Sequence, residues 1–153
     1  MMSTYYWHSY QHRCDPQAFG EAIEHLSTDG TVTPDRVVAY AVPDDSPIHD
    51  GFEWDDIAAG EAWRKQQARQ YLGSVRVKLT ADAQPERVTY HVKTAELGDV
   101  YVTKERIMSD ASLQALVLNQ AMGVLRSARE KYRDVEALAN VWNAVDQLDM
   151  DVA

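Results

Sequence analysis

Residues 55–79 read DDIAAGEAWRKQQARQYLGSVRVKL, and the spacing of the apolar side chains changes within them. Ile57, Ala58, Ala62, Tyr71 and Leu72, with Trp63 beside them, recur at helical spacing, which predicts a helix over 56–72. Asp55 or Asp56 is expected to cap it, since carboxylates suit the positive end of the helix dipole. Gly73 stands where a helix-ending C′ glycine belongs. From Ser74 the period falls to two, with Val75, Val77 and Leu79 alternating with Arg76 and Lys78. That alternation predicts a strand directly after the helix. The same stretch inverts the charge of the chain. Residues 57–78 carry Arg64, Lys65, Arg69, Arg76 and Lys78 against Glu61 alone, in a protein of net charge −9.

Upstream, Asp15-Pro16 is an N-cap followed by proline at the first helical position. Phe19, Ala22, Ile23 and Leu26 follow at helical spacing, predicting a helix over 16–29. Thr33-Pro34 repeats the signal for a helix over 33–42 with Val37, Val38 and Ala41 inward, and Tyr5 to His12 suits a short edge strand. Downstream, a turn at Ala83–Pro85 leads to alternating Val88, Tyr90 and Val92. Leu97-Gly98-Asp99 makes another turn before Val100-Tyr101-Val102. Strands near 74–80 and 87–94, with a third after Asp99, are therefore expected to pair antiparallel. Ser109 or Asp110 opens a long helix to about Tyr132, with Leu113, Val117, Ala121, Val124, Leu125 and Ala128 on one face. Asp134 starts a last helix striped by Val135, Leu138, Val141, Trp142 and Val145.

The expected fold is α+β: three N-terminal helices with a small antiparallel sheet, winged-helix-like, then a C-terminal helical hairpin. The main domain covers 1–104. The hairpin covers 105–148 and either packs on that domain or mediates a homodimer. Residues 149–153 are expected to fray.

With 153 residues and 45% apolar side chains, the chain can bury a core without disulfide or metal staples. No run of about 18 apolar residues exists to span a bilayer. The polar-aromatic start MMSTYYWHSYQHRC has no signal-peptide apolar region, and the lone Cys14 suits a reducing compartment. A cytoplasmic protein with no membrane partner is expected. There is no Gly-rich phosphate loop, no His-Glu-x-x-His and no Gly-x-Ser-x-Gly, so no enzymatic mechanism and no cofactor are expected. His8, His12 and Cys14 lack the paired spacing of a zinc site, and no metal is expected there.

Two readings of the polar residues remain. Three helices followed by a hairpin is the order of a helix-turn-helix unit with a β-wing, whose third helix enters the major groove. Arg64, Lys65, Gln67 and Arg69 on that helix suit base edges and phosphates, and Arg76 and Lys78, with Arg87, suit phosphates. Double-stranded DNA is the partner on this reading. The alternative is an acidic interaction module. Asp44, Asp45, Asp50 and Glu53, continued by Asp55 and Asp56, form a carboxylate cluster that could engage a host or phage protein or mimic DNA. That cluster lacks the spacing of a calcium loop. Its plainest role is as caps and a solvated loop, anchored by Phe52 and Trp54 and ordered by His49 hydrogen bonding.

Tyr5-x-Trp7, Gly20-Glu21, Thr33-Pro34, Ser46-Pro47-Ile48-His49, Phe52-Glu53-Trp54-Asp55-Asp56, Trp63-Arg64 and Gln67-Ala68-Arg69 together form a pattern. It resembles a family of small, functionally uncharacterised phage- and prophage-encoded proteins. Tyr101, Ser109-Asp110, Leu118 and Lys131-Tyr132 extend the resemblance over nearly the whole chain. The resemblance implies a phage or prophage origin, in the cytosol of a host cell, and no particular reaction.

Overall fold

The computed structural model describes residues 3–8, 11–57 and 60–152. Ala58, expected in the inward stripe of the third helix, lies outside them, as do Ser9 and Tyr10 of the expected edge strand. In chain order the elements are β1 (Thr4–Trp7), α1 (Pro16–Leu26), β2 (Thr31–Val32), α2 (Pro34–Ala41), a 3-10 turn at His49–Gly51 and α3 (Glu61–Ser74). There follow β3 (Val75–Lys78), β4 (Glu86–Arg87), β5 (Thr89–Thr94), β6 (Gly98–Thr103), α4 (Lys104–Met108), α5 (Ala111–Tyr132), a 3-10 turn at Glu136–Leu138 and α6 (Ala139–Val152). The fold is mixed α+β, with two three-stranded antiparallel sheets ordered β1-β3-β4 and β2-β6-β5. The chain divides into two compact units, Met1–Ser109 and Asp110–Ala153. Among the described residues no helix is long and apolar enough to cross a membrane.

The capping signals of the first two helices act as expected. Asp15 accepts a hydrogen bond from the Ala18 amide at 2.9 Å and Thr33 from the Arg36 amide at 3.2 Å. The third helix differs. Asp55 turns its carboxylate onto the Ile57 amide (3.0 Å) and Asp56 meets Arg64 (2.9 Å), so neither caps a helix. The helix starts at Glu61 after Gly60, leaving Ile57 98% exposed and Trp63 49% exposed instead of packed inward. Ala62 also faces solvent. Gly73 keeps helical geometry and the helix runs through it to Ser74. The left-handed glycines are Gly30 and Gly98, and Gly98 makes the tight turn between β5 and β6.

Strand pairing also differs from one simple hairpin. Glu86 and Arg87 pair with β3, whereas Thr89–Thr94 pair with β6. The chain changes sheets at Val88. Thr89 Oγ1 donates to the Leu72 carbonyl (2.9 Å), which ties β5 to the end of α3. The short strand β2, unanticipated in the sequence, is held by the Asp29 carboxylate, which accepts from both the amide and the hydroxyl of Thr31.

The core of the first unit is aromatic. Tyr71 of α3 packs against Trp7, Phe19 and Phe52 at ring-centroid distances of 5.4 Å each. Its hydroxyl donates to the Gly51 carbonyl, and burial pushes its pKa up to about 12. Cys14 is buried beneath Gly51, and burial pushes its thiol up to about 12, which makes it an inert core side chain. Tyr5 lies flat on Gly20 of α1, where a Cβ would stand 2.1 Å from its ring.

In the second unit, Met122, Trp142 and Val145 are buried, with Leu125, Ala128 and Leu138 around them. Arg126 and Arg129 pair with Asp149, Arg129 also with Asp146, and Trp142 Nε1 donates to the Tyr132 carbonyl. These pairings run in opposite chain directions, so α5 and α6 are antiparallel. Two expectations change here. The tail expected to fray is helical through Val152, because Asp149 is held by two arginines. The stripe expected inward on α5 omits Met122, the one fully buried side chain of the hairpin, and includes Val124, which is 70% exposed.

Gly20→Ala is expected to destabilise the protein by about 2–4 kcal/mol in urea denaturation, as overpacking against a rigid ring does at its upper range. A second test is pH. His12 packs edge-on to Trp7 and Tyr71, and burial holds its pKa below the usual histidine value. As pH falls below about 6.5, the unfolded chain takes up a proton that folded His12 resists, so stability falls toward the depressed folded value. The slope of melting temperature between pH 7 and 5.5 should be shallower in His12→Gln.

Candidate nucleic-acid interface

The Ser46–Asp56 segment fills the connection between α2 and α3. His49 Nδ1 is hydrogen bonded to the Ala41 carbonyl at 2.8 Å, and its ring stacks on Trp54 at 4.9 Å and 7°. Trp54 Nε1 donates back to the His49 carbonyl at 2.8 Å. The Arg64 guanidinium lies over the Trp54 ring at 5.2 Å and donates to the Glu53 carbonyl and the Asp56 carboxylate. Phe52 is fully buried and Ile48 nearly so. His49 and the two aromatics therefore order the loop as expected, and a connection too long for a tight helix-turn-helix turn becomes a packed strut.

This strut sorts the polar residues of α3 into two sets. Arg64 is 14% exposed and clamps Trp54. Lys65 pairs with Asp35 (2.9 Å) and Glu61 (3.4 Å). The hydrogen bond to Asp35, above all, raises its pKa. Gln67 accepts from the Glu53 amide at 3.3 Å. These three expected contact residues are engaged with their own chain. The outward face instead carries Trp63, Gln66, Arg69, Gln70 and the half-buried Gly73, with Ala68, Tyr71 and Leu72 opposite in the core. Gln66 and Gln70, which the same helix was expected to present, are on this exposed face.

Arg69 borders the β5–β6 hairpin. The Asp99 carboxyl is held below its usual range chiefly by its hydrogen bond with His91, with smaller help from the charges of Lys93 and Arg69. Burial raises the Tyr101 hydroxyl pKa and the Arg69 charge opposes it. His91 and Lys93 are exposed on the same strand.

Beyond Gly73 lies the second expected group. Arg76 is in register with Tyr6 on one side and Arg87 on the other, so the three side chains share the sheet face opposite buried Tyr5 and Val75. Lys78, two residues along, lies over the Tyr6 ring at 5.2 Å, and Arg87 over the Tyr90 ring at 5.7 Å. Arg76 also donates to the Gly73 carbonyl at 3.0 Å, which joins this face to the end of α3. Two guanidiniums directly opposite one another on adjacent strands repel. Burial first, then the charge of Arg87, lowers the Arg76 pKa. The sheet thus holds two cations side by side, next to the exposed Tyr6 ring and the half-buried Tyr90 ring.

The acidic residues are scattered in role. Glu53 lies 3.6 Å from Arg13, and Asp44, fully exposed, lies 3.6 Å from His49. Asp45 borders a shallow cleft with Tyr40, Pro43 and Pro47, and Asp50 faces solvent. Among the described residues no group of three or more His, Cys, Asp or Glu converges as a metal site would. No protein-family model, curated protein or solved structure matches the chain.

The two sets separate experimentally. Arg64→Ala should cost about 1–2 kcal/mol of stability, through a desolvated cation–π contact and its hydrogen bonds. Arg69→Ala should stay within about 0.5 kcal/mol of wild type, as exposed positions do. Paired urea titrations check both.

Proposed function

We propose that the protein is a non-enzymatic double-stranded DNA-binding protein, with α3 as the reading helix and the β1-β3-β4 sheet as the backbone clamp. The observation that carries this reading is the continuity of the outward face of α3, Gln66, Arg69 and Gln70, with the basic-aromatic face Tyr6, Arg76, Lys78 and Arg87. Gln and Arg suit adenine and guanine edges in the major groove. Cations on a flat sheet suit phosphates, which position a protein without reading sequence. Binding also supplies counter-charge to the adjacent Arg76 and Arg87.

Topology supports the winged-helix-like comparison. Setting aside β3 and β4, which are inserted between α3 and β5 and pair in the other sheet, the order α1-β2-α2-α3-β5-β6, with β2 pairing β6 and β6 pairing β5, is that of a winged helix whose small sheet contains the strand between its first two helices. On that comparison α3 is the recognition helix and the Thr94–Gly98 turn is the wing tip. The phage or prophage origin implied by the Ser-Pro-x-His-x-x-Phe-Glu-Trp-Asp-Asp pattern belongs to the same proposal.

Fluorescence anisotropy with a labelled duplex of about 30 base pairs tests it across a salt series. Affinity should fall linearly in log–log against salt, with a slope of about −0.9 per phosphate neutralised. Arg76→Gln with Arg87→Gln should make that slope shallower by about 2. Arg69→Ala should weaken binding about tenfold at fixed salt, in the range of one lost base contact. Absence of binding at 50 mM salt, or a slope unmoved by the double substitution, would overturn the reading.

A further inference from the structure

We infer that the α5–α6 hairpin is a homodimerisation element, and that its occupant is the same hairpin of a second copy of this chain. The hairpin is a two-helix unit whose cluster of buried side chains is Met122, Trp142 and Val145, with Leu113 near the start of α5 buried outside that cluster. Two helices joined by so small a cluster bury far less than an independently stable unit does. Most of the remaining apolar side chains gather on one side of the hairpin, with Leu116 and Met150 as the exceptions. With 100° per residue and Met122 taken as facing α6, Val117, Ala121, Val124 and Ala128 fall on one flank of α5. With Trp142 taken as facing α5, Val141, Ala144, Leu148 and Val152 fall on the corresponding flank of α6.

Both flanks trail their core position in the same rotational sense. In an antiparallel pair of right-handed helices, equal rotation from the shared seam leads to the same side of the hairpin. The two stripes therefore make one surface, continuous with Leu125 and Val145 of the seam. It is open: Val124 is 70% exposed, Val141 47% and Leu148 43%. The other side is polar, with Asn119, Gln120, Ser127 and Glu130 on α5 and Asn140, Asn143 and Gln147 on α6.

A largely apolar face, with charges only at its outer edge, fits its own copy. Two such faces apposed about a two-fold axis form a four-helix bundle, and each copy contributes the same patch to an isologous contact. The face is also large enough. The 22 residues of α5 and 14 of α6 give helices about 33 and 21 Å long, side by side over about 20 Å. Pairing buries roughly 500 Å² per copy, or roughly 1,000 Å² in all, which reaches the threshold of a specific interface. This pairing is independent of DNA binding.

Sedimentation equilibrium of the full chain tests it. At micromolar concentration wild type should have twice the 17.3 kDa mass of one chain. Val124→Lys with Leu148→Lys should restore the single-chain mass, because it places two charges in the buried face. Met150→Lys, which alters a 74% exposed position on the polar side, should remain dimeric. Near-ultraviolet dichroism, dominated by the aromatic core of the first unit, should be retained in the double variant even where its hairpin loses helicity. A wild type of single-chain mass at 100 µM would overturn the inference, as would a dimer that survives the double substitution.

Discussion

Tyr71 is the side chain on which the first unit converges. It sits on α3, packs on rings from β1, α1 and the loop before α3, and donates its hydroxyl to the Gly51 carbonyl. A buried hydroxyl must find an acceptor, so that bond fixes the depth and rotation of α3 as well as its position. Once Ala68, Tyr71 and Leu72 face inward, geometry dictates that Gln66, Arg69, Gln70 and Gly73 face out. The neighbouring strut of His49, Trp54 and Arg64 meets the same face of the helix one turn earlier, since Arg64 stands four residues before Ala68. The ring nitrogens of His49 and Trp54 and the Arg64 guanidinium find partners on Ala41, His49, Glu53 and Asp56, which lets these polar groups lie against the core.

The balance of charge follows from this arrangement. A net charge of −9 opposes binding to a polyanion over long distances, and surface charges are screened beyond roughly 10 Å at ordinary ionic strength. What matters at contact is which charges lie together. Asp35, Asp56 and Glu61 are occupied by Lys65 and Arg64, and Asp29 turns inward onto Thr31. Arg76 and Arg87 face each other across two strands with Lys78 beside them. The chain thus spends carboxylates on its own loops and keeps like charges adjacent on one sheet face, an arrangement with an electrostatic cost that an anionic partner relieves.

The C-terminal hairpin illustrates a second constraint. An apolar stripe of helical period shows that a helix is amphipathic, not which neighbour covers it. Leu125 and Ala128 of the expected stripe do border the seam with α6, yet its buried centre on α5 is Met122, and Val124 is left 70% exposed. α5 has more apolar surface than one neighbouring helix can cover, and its arginines fix the rotation by reaching Asp146 and Asp149.

Local chemistry made much of this legible before folding was considered. Asp15-Pro16, Thr33-Pro34 and Asp110 start helices because a side-chain acceptor beside a helix start satisfies orphan amides wherever the chain goes. The change from period 3.6 to period 2 near Ser74 marks the junction of α3 and β3 for the same local reason, and it places the chain in the α+β class. The cation-rich segment, including Arg69, Arg76 and Lys78, was visible in composition. The remainder depended on partners distant in sequence. Asp55 and Asp56 form no cap because Ile57 and Arg64 claim them, and the chain changes sheets at Val88 because Thr89 is bound to Leu72. Which of Arg64, Lys65, Gln66, Gln67, Arg69 and Gln70 face solvent was undecidable from a polar helix with weak periodicity. Only burial of Tyr71 in a nest drawn from three other segments chose the rotation, because a helix turned through 100° costs nothing until something far along the chain packs against it.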